Sequence, residues 1–317
     1  MTLLRRLTSA SLAATLVLVA IGGFVRATKS GLGCGTDWPD CLGRLTPALH
    51  DRAMVIEFSH RAAAGIVVVM LASLATLAVV RFRSERRILW TSIGALALVI
   101  FQALLGAAVV IFELKADLVV VHLAAALSLV ALLVYLRASL VDPSTRRQEV
   151  DRGTARRAGF AAASVLVLLL VGSYLSGVGE AQGAGFPDWP FIEGRPVPDL
   201  SIEITALHWF HRVLAAVVGI IVFVVGWGVI RQKGTRPVAA RFAHIAVGLY
   251  AIELLLGAAN VWTQSNQALN SASITLHLAL GALIWAGLVA IAAVTHPGLR
   301  APVAARRSTK PALEGSG

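Results

Sequence analysis

Along the chain, long apolar runs alternate with short polar breaks, and within the runs apolar and polar positions do not alternate. Continuous apolar stretches cover about 9–25, 57–80, 88–112, 117–136, 158–178, 205–230, 242–263 and 271–295. Each is roughly 17–25 residues long, enough for an α-helix to cross about 30 Å of hydrocarbon at about 1.5 Å per residue. Strands of a membrane barrel would instead alternate over about ten residues. The pattern predicts an all-α integral membrane protein with eight transmembrane helices.

Composition agrees, with 57% hydrophobic and 14% charged residues. The net charge of +11 raises the possibility of a nucleic-acid partner, but its distribution argues for none. Twenty basic residues fall on one side of the predicted spans: Arg5 and Arg6, the clusters Arg81–Arg87, Arg137–Arg157 and Arg231–Arg241, and the tail from Arg300 to Lys310. Six fall on the other side, namely Arg26, Lys29, Arg44, Arg52, Lys115 and Arg195. By the positive-inside rule both termini are expected in the cytoplasm of a cell membrane. The first run follows two arginines like a signal peptide but lacks a small-residue cleavage site, so it is expected to be retained.

Shifting the chain against itself by 151 residues superposes several uncommon elements. Asp37-Trp38-Pro39 falls on Asp188-Trp189-Pro190, His60-Arg61 on His211-Arg212, and Gln102-Ala-Leu-Leu-Gly-Ala-Ala on Glu253-Leu-Leu-Leu-Gly-Ala-Ala. The coincidences predict two tandem, pseudo-symmetric four-helix bundles related by an axis along the membrane normal. The expected organisation is an amino-terminal half over 1–140, a solvated cytoplasmic linker over 141–157, a carboxy-terminal half over 158–296 and a disordered tail over 297–317.

Four histidines stand out against this background. His60, His122, His211 and His277 each lie near the start of a span that runs from outside to inside, so they are expected at one depth in the outer half of the bilayer. Within each half the two come from alternate helices, which lets their imidazoles oppose each other across the bundle. Ionisable groups in a membrane are costly and ask for a function. Opposed imidazoles suit the two axial positions of heme iron, whereas zinc usually takes three or four protein ligands. The plainer reading is hydrogen bonding between helices. His50, His244 and His296 have no such partners and read as surface or interface residues.

The duplication is imperfect in ways that suggest divided labour. Glu57 lies three residues before His60 on one helical face, whereas the second half has His208 at that place. Glu57 could act as a general base or stabilise positive charge on a substrate carbon, or it could pair with Arg61 or Arg52. Arg61 and Arg212 are candidates for binding heme propionates, with anchoring of the helix end as the alternative. Gln102 and Glu253 sit in small-residue runs that favour close helix packing, with contact to a ligand as the alternative. Cys34 and Cys41, the only cysteines, lie in one outer loop and should pair in an oxidising exterior, closing a short loop for about 2.5 kcal/mol of unfolded-state constraint. A redox or heme-handling role is the other reading.

Taken together, Glu57-x-x-His60-Arg61, His122, His211-Arg212, His277 and the Cys34–Cys41 loop resemble the heme A synthase family, in its cysteine-bearing bacterial form. The likeness runs over about 9–295. It implies oxidation of a ring methyl of heme O to a formyl group through hydroxylation, giving heme A for terminal oxidases. It also implies that His60 and His122 ligate the substrate heme beside catalytic Glu57, and that His211 and His277 hold a heme b cofactor. His208, one turn before His211, is a second candidate ligand. Implied partners are a farnesyltransferase that makes heme O and an electron acceptor. The rival readings are a diheme b-type electron carrier, which has no use for Glu57, a transporter, and a metal-dependent membrane protease, which lacks a third nearby ligand.

Overall fold

The computed structural model describes residues 1–44, 46–182 and 188–298. The expected tail from 299 onward and part of the second outer loop lie outside the described residues. Among those described there are nine helices and no strand: α1 (Thr2–Ala27), α2 (Arg52–Arg81), α3 (Arg86–Ile111), α4 (Ala116–Ser139), α5 (Pro143–Glu149), α6 (Arg152–Gln182), α7 (Glu203–Ile230), α8 (Pro237–Trp262) and α9 (Gln267–Thr295). All but the short α5 are long and apolar enough to span a bilayer, which gives eight candidate spans. They exceed the apolar runs by several residues because polar ends continue the helix. Asp51 caps α2 by accepting from the Met54 N–H, and Asn266 caps α9 by accepting from that of Leu269.

In each half, consecutive spans pack together and the first closes on the fourth: α1, α2, α3 and α4 form one ring, and α6, α7, α8 and α9 the other. The rings meet through α1 against α9, α4 against α6, and α4 against α9. The outward surface is apolar, with Ile220, Phe223, Val224 and Trp227 of α7 all exposed, as expected of helices solvated by lipid. The span of α9 is 61% buried, against 39% or less for any other, so α9 forms much of the interior.

Two buried clusters hold the helices. Leu71, Leu74, Val99, Leu129 and Leu133 belong to one within α1–α4. Leu127, Val130, Val165, Val218, Tyr250 and Leu288 belong to the other, which joins α4 to the second ring.

The linker, expected to be solvated, is ordered in part. Its α5 ends on Glu149, which is fully buried and accepts from the backbone N–H groups of Val238 and Ala239 at 2.8 and 3.1 Å. These are donors that the first turn of α8 leaves without intrahelical partners, and the helix dipole favours the negative charge there. Asp151 next caps α6 through the N–H groups of Gly153 and Thr154, and its own N–H donates to the carbonyl of Thr295 at the end of α9.

Candidate functional site

Each of the four histidines packs its ring edge against a glycine of the preceding span. A Cβ added to Gly22 of α1 would lie 3.2 Å from Cε1 of His60, and one on Gly106 of α3 would lie 3.1 Å from Cε1 of His122. In the second ring, Gly172 of α6 stands in this way at 2.9 Å from His211, and Gly257 of α8 at 3.5 Å from His277. Gly22, Gly106 and Gly172 set how deeply their imidazoles can sit between helices, whereas a methyl on Gly257 would make only an ordinary contact. Sequence reading saw Gly106 and Gly257 only as packing residues, and missed Gly22 and Gly172.

The four residues are half-buried, yet Nδ1 of every ring is closed off from solvent and makes no hydrogen bond among the described residues. Either ring nitrogen of a histidine can serve in an interhelical hydrogen bond, and in these four Nδ1 does not. His60 and His122 lie within electrostatic reach of each other, as do His211 and His277. The buried cluster confined to the first ring begins at Val67, Val99 and Leu129, more than a turn from His60 and His122, while Leu123 beside His122 is buried in the cluster shared with the second ring. Paired imidazoles in an apolar bundle fit axial ligation of heme iron in donor type and surroundings. No group of three or more His, Cys, Asp or Glu side chains that could hold a bare metal ion occurs among the described residues.

Both carboxylate oxygens of Glu57, which is 3% exposed, are engaged. Oε2 accepts from the backbone N–H of Cys34 at 2.8 Å, and Oε1 pairs with Nη2 of Arg61. The ion pair with Arg61 weighed from the sequence is therefore present, and it is joined to the outer loop. Gly33 permits this approach, because any Cβ there would stand 2.4 Å from the carbonyl carbon of Ala53 in α2. The adjacent Cys34 and Cys41 form a disulfide, both fully buried.

The arginines after His60 and His211 act chiefly on their loops. Nη1 of Arg61 donates to the carbonyls of Asp37, Pro39 and Asp40. Nη1 of Arg212 donates in the same manner to those of Asp188, Pro190 and Phe191. Both loops carry a cis Trp-Pro bond, Trp38-Pro39 and Trp189-Pro190. They differ in what sits at the core: Cys41 is paired with Cys34, whereas Ile192 at the matching place is an apolar plug, 1% exposed. They differ too in the remaining guanidinium nitrogen. Nη2 of Arg61 is taken by Glu57, while Nη2 of Arg212 is buried without a hydrogen-bond partner among the described residues. Arg212 thus keeps a donor for an acidic ligand group.

Gln102 and Glu253 also prove to be neighbours of the histidines. The Gln102 amide donates to the backbone carbonyl of His122 at 2.9 Å, and Oε1 of Glu253 lies 3.2 Å from Nδ1 of His277. The other histidines are ordinary: Nδ1 of His244 contacts the carbonyl of Ala240, that of His296 accepts from Gly298, and His50 is exposed. His208 is half-buried one turn before His211.

Residues 5–289 match the COX15-CtaA family, described as cytochrome oxidase assembly protein. The chain is 29% identical over 255 residues to heme A synthase of Alkalihalophilus pseudofirmus, covering 79% of this chain and 84% of that one. It is 28% identical over 255 residues to heme A synthase of Listeria monocytogenes, covering 79% and 83%. A Thermus thermophilus protein named protoheme IX farnesyltransferase is 31% identical over 287 residues, covering 85% of this chain but 45% of that longer protein.

Proposed function

Because the chain belongs to the COX15-CtaA family of cytochrome oxidase assembly proteins, we propose that it is a heme A synthase, an oxidoreductase that converts heme O to heme A. The observation that carries this reading is the set of four half-buried histidines whose Nδ1 atoms are closed off from solvent and have no hydrogen-bond partner among the described residues, two in each ring of helices.

The halves are read as duplicated bundles with unlike tasks. His60 and His122 ligate the substrate heme, whose isoprenoid tail reaches the site from the lipid. Glu57, held by Arg61 and the Cys34 N–H, places a carboxylate one turn from His60, where it stabilises positive charge on the ring substituent or takes a proton from it. His211 and His277 hold a resident heme b, which supplies one-electron redox chemistry when bound. Arg212 offers its unpartnered Nη2 to a propionate. The Cys34–Cys41 disulfide keeps the loop rigid enough for the Cys34 N–H to fix Glu57.

The excess of basic residues beside α1, α5 and the α2–α3 and α7–α8 turns supports cytoplasmic termini and histidines on the outer side of the cell membrane. The match to a longer protein that bears the name of a farnesyltransferase supports an enzyme of that kind as supplier of heme O.

Extraction of the pigments from purified protein, with chromatography and mass spectrometry, tests the proposal. Heme B together with heme O, its hydroxylated form or heme A is expected. Protein that acquires no heme under ample heme supply would reject it.

A further inference from the structure

The helix pairs α3–α4 and α8–α9 carry the second histidine of each half, and they differ at one half-buried place. In α3 this is Gln102, which donates to the backbone of His122 and leaves Nδ1 of that ring unpartnered. In α8 it is Glu253, whose Oε1 stands 3.2 Å from Nδ1 of His277, at ion-pair distance but short of hydrogen-bond alignment. Its Oε2 is buried with no hydrogen-bond partner among the described residues. The opposing helix makes room for the acid: a Cβ on Gly281 would lie 3.0 Å from Oε1 of Glu253. Four residues after His122, the matching place in α4 is Ala126. One histidine therefore has a carboxylate behind it and a glycine admitting that carboxylate, and its counterpart has neither.

An acid within a membrane bundle needs a compensating positive charge. Ferric heme bound by two neutral imidazoles carries such a charge at the iron, and the ferrous form does not. A carboxylate accepting from Nδ1–H orients the ligand ring, strengthens it as an electron donor and favours the oxidised iron. We propose that Glu253 is a positioning residue that acts through His277 to lower the reduction potential of the heme in the carboxy-terminal half and to keep that heme bound, while the neutral Gln102 leaves the amino-terminal heme free to exchange. This inference rests on His211 and His277 being heme ligands. The proposal requires Nδ1–H of His277 to donate to Glu253 when heme is bound. The arrangement separates a resident group from a substrate that must enter and leave.

Purified wild-type protein and Glu253→Gln are compared by spectroelectrochemical titration of the bound heme and by the rate of heme transfer to apomyoglobin. In Glu253→Gln the potential is expected to move positive and the transfer to speed up about tenfold. Glu253→Asp, which keeps the charge but withdraws it by one methylene, should give smaller shifts in the same directions. It carries the test if the glutamine variant does not accumulate. A potential and a transfer rate equal to wild type, in a variant that retains heme, overturn the proposal. Wild-type protein without any histidine-ligated heme would instead overturn the functional reading beneath it.

Discussion

At the scale of single residues, the two halves differ where chemistry would distinguish them and agree where an imidazole must be seated. Glu57 has no carboxylate counterpart on α7, where His208 takes its place. Glu57→Gln keeps the shape and the bond from the Cys34 N–H but removes the charge. It should leave the heme absorption spectrum intact and reduce heme A formation roughly 100-fold, measured as product per bound heme. Unchanged product would return Glu57 to a purely structural ion pair with Arg61. The glycines make a finer prediction. A methyl on Gly172 would stand 2.9 Å from His211, inside contact distance, whereas one on Gly257 would stand 3.5 Å from His277, an ordinary contact. Gly172→Ala should therefore lower heme content, read from absorbance per protein, and Gly257→Ala should not. Equal heme content in both would show that the glycines do not set the ring position. The histidines themselves were legible in the sequence, because repetition at like depth is a one-dimensional signal. Their glycine partners were not, because pairing Gly22 with His60 requires the relative rotation of α1 and α2.

At the scale of elements, the spans were legible and the connections were not. Continuous apolar runs fix helices in lipid, since backbone groups there can be satisfied only within the helix. The polar linker gave the opposite impression, because its Arg, Asp, Pro and Ser content reads as solvated chain. Its order comes from Glu149 meeting the first turn of α8, whose Val238 and Ala239 lie 89 and 90 residues further along, a contact no local window contains. Glu149→Ala leaves those two backbone donors buried without their acceptor and should cost about 2 kcal/mol. The expected result is a lower thermal midpoint in detergent with heme spectra unchanged below it. A midpoint equal to wild type would mean that α5 merely rests on α8. The loops carry the same lesson: the repeated Asp-Trp-Pro was visible in the sequence, but that the arginine after each histidine grips the loop carbonyls emerged only in three dimensions.

At the scale of the whole molecule, the question is whether two sites within one envelope behave as two. Each ring closes on itself, and the buried cluster of α1–α4 is separate from the one centred on α6–α9. Yet α4, which carries His122, also packs on α6 and α9, and α1, which seats His60, packs on α9. The two histidine pairs thus stand in separate rings that are joined through their scaffold. The central place of α9 could not be foreseen from its sequence, because all eight spans are similarly apolar and burial depends on which ring faces which. If each ring holds its own heme, replacing His211 and His277 together by alanine should remove the b-type heme while added heme O still binds and perturbs the spectrum. Replacing His60 and His122 should do the reverse, leaving heme B in the extract and abolishing heme A. Mass spectrometry of the two extracts reads both outcomes directly. Loss of every pigment from either double variant, with the protein still folded in the membrane, would mean that the four histidines serve one shared site, and the division between a substrate half and a cofactor half would fall.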